Sequence, residues 1–236
     1  MHSGYKPLME TGESPSVANA RSRSRWKQDP EGVRSNILAV ALEEFAKNGL
    51  SGARIDEIAA RTRTSKRMIY YYFGDKEGLY RRALEDAYRE VRRGEEKLLL
   101  DDLAPAEALR RLAEFTFDHH RRNPNFIRLV MIENIHNGDY LRQSDLIGKL
   151  NEAAISRVAE IYGKGVAEGV FRPGLTPLEI HWQISALSFF NVSNVTTFSL
   201  LFGNELFTGA GQARLRGSVG DAVLRFVASQ PPDGGA

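Results

Sequence analysis

From Val33 onward the apolar residues recur every three or four positions, and no alternating strand pattern or hairpin signal interrupts them. The spacing predicts an all-α chain. Ile37, Ala41 and Phe45, with Leu38 and Leu42 beside them, form one face of a first helix that should stop at Asn48-Gly49, a C-terminal cap signal. Ile55, Ile58 and Ala59 mark a short second helix. The polar run Thr62-Arg63-Thr64-Ser65 then breaks the pattern, and Ser65 is placed to cap a third helix whose Ile69 and Phe73 point inward at i and i+4. Gly74-Asp75 ends that helix and caps a fourth, with Glu77 in its first turn and Leu79 and Ala83 on its inner side.

Proline and glycine punctuate the remainder. One helix is predicted over 105–122, with Leu109, Leu112 and Phe115 inward, and Asn123-Pro124 should cap and start the next, which carries Ile127, Val130 and Met131 up to the break at Asn137-Gly138. Further helices are predicted over 144–168, 177–202 and 212–229. The segment 180–204 has no charged side chain and is long enough to span a bilayer. Its interleaved Gln183, Ser185, Ser188, Asn191, Asn194 and neighbouring hydroxyls favour a buried or interface helix instead.

Composition adds one exclusion and one asymmetry. The 236 residues contain no cysteine, which removes disulfides, thiolate metal sites and thiol redox sensing. The net charge of +2 is unevenly spread: residues 21–82 hold fourteen Lys and Arg against eight Asp and Glu, whereas residues 101–236 hold thirteen against fifteen. The basic excess therefore sits on the first helices and the tail ahead of them. Residues 1–30 read as a disordered basic tail whose Arg21–Lys27 run is either a solvated linker or an arm for DNA, and residues 231–236 read as a second disordered tail. Without an apolar leader-like stretch, the expected compartment is the cytoplasm, with no membrane partner.

Three short helices followed by a longer one, with a polar turn between the second and third, is the layout of a helix-turn-helix reader of DNA. If Ile69 and Phe73 fix the third helix, then Lys66, Arg67, Met68, Tyr70 and Tyr71 occupy its free surface. Cations, phenol hydroxyls and apolar surface together suit phosphates, base edges and thymine methyls in a major groove. The helix starts after Arg54 and Ser65 add backbone donors for phosphate.

The segment 37–79, with Ala41, Phe45, Gly49, Ile55-Asp56-Glu57-Ile58-Ala59-Ala60, Ser65-Lys66-Arg67-Met68-Ile69-Tyr70-Tyr71-Tyr72-Phe73 and Lys76-Glu77, resembles the N-terminal domain of TetR-family transcriptional regulators. Residues 184–203, with Ser188-Phe189-Phe190-Asn191-Val192-Ser193-Asn194 and Phe202-Gly203, resemble the C-terminal dimerisation region of that family's pyrimidine-catabolism regulator-like branch. The resemblance implies a helix-turn-helix domain over 31–80, joined by the fourth helix to a helical effector-binding and dimerisation domain over 81–230. It implies a homodimer through the last two long helices, bound to a palindromic operator and most often repressing. It also implies DNA contacts from Arg54, from Lys66, Arg67 and Met68 at the opening of the recognition helix, from Tyr70 and Tyr71, and from Lys76. Two positions depart from the family: Arg63 stands where glycine is usual, so a positive φ there would be strained, and Ala53 stands where a capping threonine is frequent.

Family members usually hold a small-molecule pocket in the second half. Asn134, His136, Trp182, Asn191 and Asn194 are the polar groups placed to line one; the alternative is that they satisfy the core or an interface. No cofactor, metal pattern or catalytic set is expected: His119 and His120 are adjacent and point about 100° apart, unlike an i, i+4 chelating pair. Two other readings stay open at this level. One is an all-α enzyme using His119, His120 or Glu133 as acid or base, and the other is a DNA-binding or helical interaction protein whose second half only dimerises.

Overall fold

A computed structural model describes residues 29–229; both proposed tails, apart from Asp29 and Pro30, lie outside that range. The described residues form ten α-helices, two short 3-10 turns and one isolated bridge, Phe171 to Ala228. The helices are α1 Pro30–Gly52, α2 Ile55–Thr62, α3 Lys66–Phe73, α4 Lys76–Glu96, α5 Pro105–Arg122, α6 Pro124–Ile135, α7 Asp145–Ala167, α8 Pro177–Ser193, α9 Val195–Phe202 and α10 Gly209–Val227.

The starts and stops are local chemistry. Asp29 accepts the Gly32 amide at 2.8 Å and Pro30 opens α1; Ser65 accepts the Met68 amide on α3, and Asp75 accepts the Gly78 amide on α4 at 2.6 Å. Gly78 has a further role, because a Cβ there would lie 2.2 Å from the Phe73 carbonyl oxygen. Only glycine lets α4 start that close to the end of α3. Helical geometry in α1 breaks at Gly49, where φ is +66°, and one more turn follows to Gly52. The N-cap of α2 is Arg54 rather than Ala53, and it has no side-chain cap; buried Glu44 accepts the Arg54 amide at 3.1 Å and the Asn48 amide at 2.9 Å in its place. Asn123 likewise does not cap α6 with its side chain, which donates back to the His119 carbonyl.

Two larger cores and a bridging cluster follow. Ile37, Ala41, Phe45, Ile58, Ile69 and Leu79 form the first, and it is completed by Leu129 of α6 and Ile147 of α7. Each such aliphatic or aromatic side chain contributes about 1.5–3 kcal/mol by leaving water. The second core gathers Leu109, Leu112 and Phe117 of α5, Val158 and Ile161 of α7, Ile180 and Ile184 of α8, and Val219 and Val223 of α10. Phe117, rather than the half-buried Phe115, is the inward phenylalanine of α5. Ala87 and Val91 of α4 meet Phe126 and Ile127 of α6 between them, so α4 runs through both halves.

The predicted single helix over 177–202 is two helices, bent by 67° at Asn194. The Asn194 side chain donates to Ser193 Oγ instead of continuing a helical surface, and its backbone sits at φ −107°, ψ 6°. No single helix among the described residues is long and apolar enough to cross a membrane, and the α8–α9 pair reaches that composition only as a bent unit.

α4 is clamped to the link between α6 and α7. Glu133, 1 % exposed, accepts the Tyr80 hydroxyl at 2.8 Å and the backbone amides of Tyr140 and Leu141 at 3.1 and 3.0 Å. Ser144, the N-cap of α7, donates its hydroxyl to Glu85 at 2.8 Å, and Arg81 reaches Gln143 at 2.9 Å. Burial and the neighbouring carboxylate push the Tyr80 phenol well above its ordinary range, which keeps it a donor.

Candidate nucleic-acid interface

α2 and α3 meet through Arg63-Thr64-Ser65. Arg63 closes α2 in the left-handed region, at φ 52° and ψ 34°, with its amide bonded to the end of that helix. The family's glycine position is thus occupied by a strained arginine whose side chain is exposed. Thr62 ties its hydroxyl to the Ile58 carbonyl at 2.7 Å and Arg61 bridges to Glu43, so α2 is fastened to itself and to α1.

α3 is fixed from beneath by Ile69, which is fully buried, and by half-buried Phe73. Its three tyrosines then divide by helical phase. Tyr72 turns back to α1, where the Arg34 guanidinium lies 4.9 Å from its ring centre. Tyr70 and Tyr71 face outward, 42 % and 77 % exposed, and the Tyr71 ring leans edge-on against Tyr72 at 5.4 Å. Lys66 and Arg67 are exposed on the same helix and Met68 is half-buried. A helix with one buried anchor and an outer face of two cations and two phenols offers groove-reading groups from a rigid support.

The cations differ in what they touch. Lys66 pairs with Asp56 of α2 at 2.5 Å, with about half of each side chain exposed; such surface pairs are worth at most about 1 kcal/mol and yield readily to phosphate. Arg54 and Arg67 make no ion pair among the described residues, and Arg54 lines a surface cleft of about 500 Å³ with Glu57 and Arg61. Lys76 donates to the Ser51 carbonyl at 3.2 Å, joining the start of α4 to the end of α1, and keeps two further N–H groups for a phosphate.

The chain matches the model for bacterial regulatory proteins of the tetR family over residues 37–83 and that for the tetracyclin repressor-like C-terminal domain over residues 105–223. The protein belongs to the TetR family. It is a helix-turn-helix transcriptional regulator. It is 34 % identical to the HTH-type transcriptional repressor NicS of Pseudomonas putida, over 84 % of this chain and 93 % of that one. It is 29 % identical to the HTH-type transcriptional regulator RutR of Escherichia coli, over 58 % of this chain and 63 % of that one. Among solved structures, the fold superposes on the transcriptional regulator FadR of Bacillus subtilis in complex with stearoyl-CoA, with a TM-score of 0.64, 19 % identity and coverage of 80 % and 97 %.

The five polar residues expected to line an effector pocket do not converge. Asn134 and His136 are exposed at the end of α6, and the Asn134 amide donates to the Val130 carbonyl. Trp182 is 64 % exposed on α8. Asn191 exchanges hydrogen bonds with Gln212 of α10 at 2.9 and 3.0 Å, and Asn194 bonds Ser193. They are helix-end, exposed or satisfied groups. A surface cleft of about 750 Å³ beside Tyr88, Leu141 and Asp145 includes none of them. Glu133, one of the acid–base alternatives, is saturated by its three donors and locks α4 to α6. His119, His120, His181 and Arg92 meet between α4, α5 and α8, His120 buried and the other three half-buried; their adjacency in space comes from three separate helices.

Proposed function

We propose that this TetR-family regulator is a cytoplasmic homodimeric repressor that places two copies of α3 in successive major grooves of a palindromic operator and releases it when a small molecule binds the helical half. The observation that carries the DNA reading is the outer face of α3: Lys66, Arg67, Tyr70 and Tyr71 stand exposed over a buried Ile69. The likeness to a relative named as a repressor supports the sign of regulation.

The dimer reading rests on α8. Trp182 and Phe190 stand 64 and 53 % exposed on one side of α8, with Leu178 and Leu187, 63 and 38 % exposed, on its two flanks, a broad apolar surface that nothing covers among the described residues. Ser188 is fully buried inside the protomer, and Phe189 packs partly into the cluster between the halves. α10 joins α8 through the Asn191–Gln212 pair, so the two helices offer one continuous surface.

Release follows from the shared helix. The first core and the bridging cluster both lie along α4, and Tyr80–Glu133 and Glu85–Ser144 tie it to the effector half. A ligand that moves α4 changes the separation of the two α3 helices, which must sit about 34 Å apart to occupy both half-sites. Going from about 1:99 to 99:1 requires roughly 5.5 kcal/mol of differential binding.

The test is a triple substitution, Lys66→Ala, Arg67→Ala and Tyr71→Ala, assayed on an operator selected from genomic fragments with the purified protein. Specific binding should vanish while helix content and dimer mass stay unchanged. Retained specific binding would overturn the assignment of α3.

A further inference from the structure

Between α4, α5 and α8 lies a buried polar cluster that the DNA-binding half does not use. Arg92 of α4 holds Glu95 at 2.5 Å, the two side chains only 11 and 13 % exposed, yet its Nε meets no acceptor. On α5, His119 and His120 both bury Nδ1 without a hydrogen-bond partner among the described residues; their rings lie 6.2 Å apart and both rest against Phe126, at 6.1 and 5.9 Å. On α8, Ser188 is fully buried with its hydroxyl unpartnered, and His181 meets Ser185 at 3.3 Å. Nearly all buried polar groups in native proteins are satisfied. Four unpartnered polar atoms from three helices in one place therefore mark a candidate site for a polar ligand.

The charge balance says what the complement is. Arg92 acts on all three histidines, and the one carboxylate bonded to it, Glu95, engages only its Nη1. Burial and Arg92 hold His119 and His181 below their ordinary range, and burial, His119 and Arg92 push His120 down to about 4. The cluster thus carries one guanidinium and neutral rings able to take up a proton. A second anion would accept from Arg92 Nε, from the Ser188 hydroxyl and from a reprotonated imidazole, satisfying three of the four orphans with charge-assisted bonds. The neighbouring walls are aromatic: Phe115 lies 5.7 Å from His119, and Tyr88 stands edge-on to Phe126 at 5.1 Å.

We infer that this cluster anchors the effector by its acidic end, taking the carboxylate of a small aromatic monoacid on Arg92, His119, His120 and Ser188, with Phe115 and Phe126 against its ring. The inference rests on the ligand-released repressor reading and names the chemical class that it requires. No covalent bond forms. One proton moves from solvent to an imidazole as the anion enters; the other charged or titratable groups acting on the rings are Glu90 of α4, Arg122 of α5 and His181 of α8.

The full chain is titrated by calorimetry at pH 7 with benzoate, 4-hydroxybenzoate and phenylacetate, and with the corresponding amides, in phosphate and in Tris buffer. At least one acid should bind ten or more times tighter than its amide, with a buffer-dependent heat that reports proton uptake. His120→Gln should weaken the acid at least tenfold and abolish the uptake, and Ser188→Ala, a smaller change that keeps the fold, should weaken it severalfold. If no acid binds more tightly than its amide, or if His120→Gln changes neither affinity nor uptake, the inference is overturned. Operator binding by the unliganded protein is scored separately. Its failure would remove the repressor reading and leave the carboxylate site standing, whereas intact operator binding without acid selectivity removes only the site.

Discussion

Replacing Tyr80 by Phe tests whether Glu133 holds the reading head to the effector half. The Tyr80 hydroxyl donates to a carboxylate that is 1 % exposed and has two further donors, the amides of Tyr140 and Leu141. Removing a hydrogen bond to such an acceptor costs about 1.5–3 kcal/mol. Glu133→Leu costs more, because one buried and two half-buried donors lose their acceptor at about 1–3 kcal/mol each, for a total of roughly 3 kcal/mol or above. The diagnostic quantity is the second-background effect. With Leu at 133 the Tyr80 hydroxyl is an orphan, so adding Tyr80→Phe should be neutral or stabilising, whereas in the native background it destabilises. Urea unfolding of all four proteins at one fixed protein concentration, followed by circular dichroism, supplies the cycle, since a dimer's stability depends on concentration. An equal penalty for Tyr80→Phe in both backgrounds would refute the clamp.

Arg63→Gly should raise stability by about 1 kcal/mol, visible as a melting temperature a few degrees higher, because the left-handed conformation at φ 52° is costly for arginine and free for glycine; no gain would mean the turn is unstrained. Asp56→Asn frees Lys66 and removes a negative charge beside the groove, so operator affinity measured by fluorescence anisotropy should rise severalfold at low salt, and a fall would count against Lys66 as a DNA contact. Leu187→Glu with Phe190→Glu should convert the dimer to a monomer by light scattering; persistence of the dimer would move the interface elsewhere. His120 is neutral when folded and charges more easily once unfolded, with a native value of about 4 against an ordinary 6.5, so stability falls as pH drops from about 6.5 toward 4. Its share is up to about 3 kcal/mol, and His120→Gln should flatten that part of the pH profile of urea midpoints.

The reading head is legible in the chain because its determinants are short-range. Ser65, Asp75, Gly74 and the Ile69–Phe73 pair each act on a partner no more than four residues away, and each sits where local chemistry places it. The same holds for α5, whose start and end at Pro105 and Arg122 coincide with the punctuation. Longer-range features escape. The bend at Asn194 interrupts an apolar run with neither proline nor glycine, so helical periodicity passes through it unbroken. The pocket candidates failed for a related reason: a polar residue among apolar neighbours looks the same whether it faces a ligand, a partner helix or water, and Asn191 and Trp182 fall on different sides of that ambiguity. His119 and His120 look unable to cooperate when read along one helix. Only the third dimension, with Arg92 and Ser188 arriving from other helices, shows that they share surroundings.

Leu129 and Ile147, which complete the first core from α6 and α7, bear on how such regulators can be recombined. A chimera that joins this reading head to a foreign sensor at the start of α4 would inherit two holes of aliphatic size against Phe45 and Leu79, or two side chains of the wrong shape. Truncations of that kind typically cost about 2–5 kcal/mol apiece in a packed core. A transplant designed as a biosensor would therefore have to carry the two residues, and the register of the helices that bear them, along with the head. The exchangeable unit is discontinuous in sequence, and its seam runs through the interior of the effector half.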